Sequence, residues 1–178
     1  LAKAGIEPQV RPLRRGLVGL VAASVALLLI AGTYLYLHNR STVLVADNTS
    51  RVVTLADGTR ATLAPHATLS YHGNDCREVE VTGKVFLEVA HDARHPFTVT
   101  DKAYTIRDIG TKLMVDETAE ATTVLVTEGA VSFSANTSQK AVVLRQNESA
   151  RLAVQDNAPQ ALRLSPNAAA WATHTFHF

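Results

Sequence analysis

Gly16 to Leu37, GLVGLVAASVALLLIAGTYLYL, is a run of 22 residues without a single charge, and it constrains this chain more than any other feature. At about 1.5 Å per residue, a helix of that length reaches across the roughly 30 Å hydrocarbon core of a bilayer. Lys3, Arg11, Arg14 and Arg15 crowd its N-terminal flank, while Arg40 stands alone close behind it. Cationic flanks stay on the cytoplasmic side. Residues 1–15 are therefore expected in the cytoplasm, 16–38 as a transmembrane helix, and everything from 39 onward outside. Tyr34 and Tyr36 fall near the outer end, where aromatic rings favour the headgroup zone. A signal peptide would have a shorter apolar core and a small-residue cleavage site. Here the run is followed by HNRSTVLV, which has no A-x-A pattern. The chain starts at Leu1 rather than Met, so a further N-terminal portion is expected upstream.

The 178 residues suffice for one compact domain beside that helix, but not for two full cores. Seventeen Lys and Arg against sixteen Asp and Glu leave a net charge of +1, which offers no basic field for nucleic acid. Cys76 is the single cysteine. An internal disulfide and a multi-cysteine zinc or iron–sulfur site are thereby excluded.

Beyond Arg40 the texture changes to short runs rich in Val, Thr, Leu and Phe, separated by Gly, Asp, Asn and Pro. RVVTL, TRATL, REVEV, KVFLEV, FTVT, YTIRDI, KLMV, TTVLV, AVSFS, AVVLR and ARLAV each read as a strand. In VFLEVA, Val85, Leu87 and Val89 share one face, opposite Phe86 and Glu88. Turn centres at Gly58, Gly83, Gly110, Gly129 and Asn147 are unevenly spaced, so no fixed-period repeat applies. The expectation is an all-β domain over residues 39–164, a roll, solenoid-like or sandwich-like packing of short strands. The tail SPNAAAWATHTFHF, within 165–178, reads as a linker or the start of a further element.

Candidate sites are few. His91 and His95 are four apart, with Asp92 between them, a ligand spacing on a helix. The stretch joins two strands and runs into Pro96, so it reads as a solvated loop, and no metal is expected. His174 and His177 sit in the irregular terminus and fare no better. No G-x-S-x-G elbow, P-loop or dinucleotide fingerprint occurs, so neither nucleophilic hydrolysis nor a cofactor is expected. Two Gly-Thr pairs, in ADGTRATL and DIGTKLMV, each precede a strand rather than open a helix, which rules out a phosphate cradle.

Taken in order, LADGTRATLAPHATLSYH, REVEVTGKVFLEVAHDARHPFTVT, IRDIGTKLMV and TTVLVTEGAVSFS resemble the external domain of the FecR family. These are single-span inner-membrane regulators of bacterial cell-surface signalling. The likeness covers roughly residues 45–155. It rests on Asp57, Gly58, Thr59 and Leu63, on Gly83, Phe86 and Val89, on Pro96, Phe97 and Val99, on Gly110 and Thr111, and on Glu128, Gly129 and Val131. Two departures stand out. Leu113 occupies a position where an aromatic is usual, and the Phe86 strand is one residue tighter than in many members.

The resemblance implies a periplasmic domain that meets the signalling domain of a TonB-dependent outer-membrane receptor. The signal would pass through the bilayer to an extracytoplasmic-function sigma factor, bound by a domain preceding Leu1, in the manner of iron-uptake regulation. A later partner-binding domain would begin near Trp171. An exposed edge strand would offer a docking site. The resemblance also implies self-cleavage between Gly110 and Thr111, the Thr111 hydroxyl attacking the Gly110 carbonyl with Asp108 or a nearby His assisting. An ordinary turn followed by a β-branched strand residue is the other reading of that pair, and both stay open. The rival functional class is a β-module binding cell-envelope polymer on a membrane stalk, which would need an exposed aromatic platform.

Overall fold

The computed structural model describes residues 14–38, 41–73, 75–108, 110–138 and 140–173, with the side chains of 14–18, 36–38 and Pro166 left aside. Two units emerge, residues 1–39 and 40–178.

The first unit holds helix α1, Arg14–His38. Its described side chains, residues 19–35, are exposed all round, among them Leu20, Leu27, Leu28, Ile30 and Leu35. Among the described residues no helix is long and apolar enough to cross a membrane. The helix forms where the sequence places it, while the transmembrane assignment of 16–38 is not shown by these residues and stays an expectation of the sequence. The cytoplasmic segment assigned to residues 1–15 lies almost wholly outside the described residues.

Among the described residues the second unit is a mostly-β domain of thirteen strands in one curled sheet. They are β1 (Ser41–Val45), β2 (Arg51–Thr54), β3 (Arg60–Leu63), β4 (Thr68–His72), β5 (Glu78–Glu88), β6 (Phe97–Thr100), β7 (Tyr104–Asp108), β8 (Lys112–Glu117), β9 (Ala121–Glu128), β10 (Ala130–Ala135), β11 (Ala141–Arg145), β12 (Ser149–Ala153) and β13 (Gln160–Leu162). One layer runs β1-β4-β5-β6-β7-β10-β11 and the other β2-β3-β5-β8-β9-β12-β13. All neighbours are antiparallel except β5 and β6.

The two layers share β5, which the sequence reading had divided into REVEV and KVFLEV. Its first half pairs with β4 and its second half with β3 and β8. The change of layer falls at Gly83, whose φ of +78° favours glycine and whose Cα lies so near Ala67 that a Cβ would sit 3.2 Å from the Ala67 backbone. Both layers fill one core. Leu69, Val79, Phe97, Ile106, Phe133 and Leu144 meet Leu63, Val85, Leu87, Leu113, Val124 and Leu152. Leu113, at the position where an aromatic is usual, is fully buried here.

Phe86, on the opposite face of β5, is buried too, because the outer face is covered. A 3-10 turn at Pro166–Ala169 runs into α2, Ala170–Thr173. Ala169, Leu164 and Trp171 close over Phe86, Met114 and Leu125 as a second apolar cluster. Residues 165–173, expected as a linker or the start of a further element, are therefore part of this domain's packing.

Candidate functional site

The Asp57-Gly58-Thr59 turn closes the β2–β3 hairpin. Its backbone is tied by Leu55 N–H to Thr59 C=O at 2.8 Å and Gly58 N–H to Leu55 C=O at 3.1 Å. The Asp57 carboxylate accepts the Thr59 N–H at 2.9 Å and the Thr59 hydroxyl at 2.7 Å. Its Oδ2 also takes Arg77 Nη1 at 2.6 Å, in a pair with both side chains only 11% exposed. Two charges held this far from water depend on close geometry and further hydrogen bonds. Arg77 supplies both: it donates to the carbonyls of Ala90 (3.3 Å) and His95 (2.5 Å), and its guanidinium lies 5.7 Å from the centre of the Phe97 ring. Thr59 Oγ1 in turn accepts the Ala90 N–H at 3.1 Å.

These bonds fasten the loop of residues 90–96, which belongs to no strand. Within it Asp92 accepts the Arg94 N–H at 2.9 Å and faces His95 Nδ1 at 3.0 Å. The His95 hydrogen bond, followed by the Arg94 N–H, holds the Asp92 carboxyl down at about 2. His91 points elsewhere, against Gly110. The two histidines, read from the sequence as part of a solvated loop, thus face different neighbours, and among the described residues no three His, Cys, Asp or Glu side chains gather as metal ligands. His174 and His177 lie outside the described residues.

Gly110 has φ +142°, a conformation that side-chain-bearing residues rarely adopt. A Cβ there would sit 2.6 Å from His91 Nδ1 and 2.9 Å from His91 Cα, so glycine is required twice over. Asp108, buried at the end of β7, accepts the Gly110 N–H on Oδ1 at 3.0 Å and the Thr111 N–H on Oδ2 at 3.1 Å. The Thr111 carbonyl accepts the Val89 N–H at 2.9 Å. Its methyl group is pressed against Gly129, where a Cβ would approach to 2.4 Å. Thr111 Oγ1 is buried and has no hydrogen-bond partner among the described residues. The sequence foresaw Gly110, Thr111 and Asp108 as a group. It did not foresee His91 as their neighbour or Arg77 as the anchor of the loop, although the Asp-Gly-Thr triplet marks where that anchor attaches.

A second polar cluster lies under the other end of β8. Among the described residues Glu117 Oε2 and Tyr104 Oη are buried with no hydrogen-bond partner within bonding distance. Burial, then the charges of Asp101 and Glu80, pushes the Glu117 carboxyl up to about 7. Burial, then the charge of Glu117, pushes the Tyr104 phenol up.

Among the described residues four strands, β1, β2, β11 and β13, pair on one side only. Between β11 and β13 lies an open groove of about 610 Å³ lined by Val142, Leu144, Ser149 and Leu162. Phe86, Phe97, Tyr104 and Phe133 are all interior. They cannot supply the aromatic platform that polymer binding would require.

A scan of protein families matches the FecR protein family over residues 41–132, a little more than half of the chain. The chain belongs to the FecR family. Two crystal structures of a proposed anti-sigma factor from Parabacteroides distasonis ATCC 8503, at 2.50 and 1.65 Å resolution, share its fold with TM-scores of 0.66 and 0.65. Each is 22% identical, and the aligned parts cover 74% and 73% of this chain and 64% of those chains. The chain thus spans less than two thirds of their length. No curated protein matches.

Proposed function

We propose that the protein is an inner-membrane anti-sigma-factor regulator. It would relay a signal from a TonB-dependent outer-membrane receptor to an extracytoplasmic-function sigma factor through contacts between proteins. Membership of the FecR family over residues 41–132 carries this reading. The single-pass placement, with the β domain in the periplasm, rests on the sequence: 22 uncharged residues from Gly16 to Leu37 behind a cationic flank. Unpaired edges at β1, β2, β11 and β13 supply surfaces on which a partner strand can add. The test is co-purification of residues 41–178 with the signalling domains of TonB-dependent receptors from the same cell, alongside fractionation of the full chain. Saturable binding to one receptor domain and recovery in the inner-membrane fraction are expected. Absence of binding to every receptor domain, or recovery in the soluble fraction, overturns the reading.

One observation favours a second activity within the same domain, the buried and unpartnered Thr111 hydroxyl beside a glycine at φ +142°. In this reading Thr111 Oγ1 attacks the Gly110 carbonyl carbon. The C–N bond breaks as a C–O ester forms, and the hydroxyl proton passes to the Thr111 nitrogen. Water then hydrolyses the ester to leave a Gly110 carboxylate and a Thr111 amino terminus with its hydroxyl restored. Asp108 fixes the nitrogen that leaves, through the bond from Thr111 N–H. Wild type should resolve into two fragments in denaturing mass spectrometry and Thr111→Ala into one intact chain. A wild type that stays intact rules the activity out.

A further inference from the structure

The loop of residues 90–96 contributes no strand, yet it delivers a titratable side chain to the one peptide bond that the domain singles out. Its fastenings are specific. Arg77 grips the Ala90 and His95 carbonyls, the Ala90 N–H is held by Thr59 Oγ1, and Asp57 holds both Arg77 and Thr59. His91 follows Ala90 directly and its ring and Cα cover Gly110. The Gly110–Thr111 segment is therefore clamped from two sides, by the Asp108 carboxylate on the N–H groups of both residues and by His91 on the glycine Cα.

We infer that the Asp57–Arg77 pair is a latch that regulates scission at Gly110–Thr111 by holding His91 against Gly110. Arg77 and Asp57 are positioning residues, and His91 is the side chain that they hold against Gly110. The inference rests on the self-cleavage reading above. With the latch closed, His91 packs against Gly110 and confines it to its rare conformation. With the latch open, the loop loses its hold on Ala90 and His95, Gly110 relaxes, and the bond becomes an ordinary peptide. Anything that competes for Arg77 or Asp57 thereby switches cleavage off.

The test follows the cleaved fraction of the full 178-residue chain over time by intact mass spectrometry. The chains compared are wild type, Arg77→Met, Arg77→Lys, His91→Ala and the double variant His91→Ala with Arg77→Met. Arg77→Met keeps the aliphatic stem over Phe97 and loses the hydrogen bonds, so its cleavage should slow at least about tenfold, with part of the rate recovered in Arg77→Lys. His91 is exposed, so His91→Ala leaves the fold intact and carries the test even where Arg77→Met does not fold. His91→Ala should slow cleavage as much as Arg77→Met, and the double variant should be no slower than either, since both act through one contact. A merely structural Arg77 would instead add its effect to that of His91. Wild-type rates in His91→Ala, or additive losses in the double variant, overturn the latch and leave cleavage standing. An uncut wild type overturns both.

Discussion

The turns at Asp57–Thr59 and Asp108–Thr111 are made of the same residue types, an aspartate, a glycine at positive φ and a threonine that enters a strand. They use them in opposite ways. In the first turn, Thr59 Oγ1 both donates, to Asp57, and accepts, from Ala90 N–H, while the aspartate is neutralised by Arg77. In the second, the aspartate spends its oxygens on two backbone N–H groups and the threonine hydroxyl is left buried and unpaired. The glycines differ as well: a Cβ on Gly58 would meet nothing nearer than 3.9 Å, whereas one on Gly110 would strike His91. One turn is a satisfied structural joint. The other stores strain and an idle hydroxyl, a combination that marks functional positions.

The sharpest way to break this comparison is to place alanine at each glycine. Gly110→Ala adds a backbone clash to an unfavourable φ and should cost about 4 kcal/mol in a urea melt. Gly58→Ala meets only the φ penalty and should cost about 1 kcal/mol. Equal losses would mean that His91 yields freely and that Gly110 is no tighter than Gly58. Next in size are the aspartates. Asp57→Ala strands a buried guanidinium and should cost roughly 3 kcal/mol, against roughly 2 kcal/mol for Asp108→Ala, which strands two N–H groups.

The threonines should give effects of opposite sign. Thr59→Val removes a hydroxyl with two partners and should lower stability by about 1–2 kcal/mol. Thr111→Val removes an unsatisfied one and should leave stability unchanged or raise it by up to about 1 kcal/mol. If both lose stability alike, Thr111 Oγ1 has a partner after all.

The smallest effect tests the same rule outside the turns. Glu117, with an unpartnered Oε2, has its folded pKa raised from 4.5 to about 7. Its ionisation therefore lowers stability as pH rises through that window, fully so above pH 7 and not at all below 4.5. Partial exposure reduces the effect, and Glu117→Gln should be more stable than wild type by about 1 kcal/mol at pH 8 and equal to it at pH 4. A constant difference across that range would remove Glu117 as the titrating group.

Most strands were legible because alternation carries them. Val85, Leu87 and Val89 do face the core, and Gly58, Gly110 and Gly129 do separate strands. The continuity of β5 was not, since a glycine that ends one strand and a glycine that bends a single strand look alike until Ala67 is seen against it. β13 escaped notice because all three of its residues are exposed and it has no alternation to read. At the candidate site, His91 and His95 stand at a spacing that would pair them on a helix, but Pro96 marks the stretch as a loop. The fold separates them, because a loop without helical period turns successive side chains in unrelated directions. Arg77 left no signal of its own. A cation eighteen residues before its carbonyl partner and twenty beyond its carboxylate partner is brought to them only by tertiary packing.

The closure of the outer face by the C-terminal segment has a spectroscopic consequence. Trp171 is the only tryptophan in the chain, and it sits in that segment rather than in the core between the layers. Intrinsic indole emission from this protein is therefore a local gauge. It will shift to the red when α2 lifts from Phe86, Met114 and Leu125, even while every strand remains paired and the far-ultraviolet signal is unchanged. A melting curve recorded by tryptophan fluorescence alone would report the departure of a few residues and be mistaken for the unfolding of a domain.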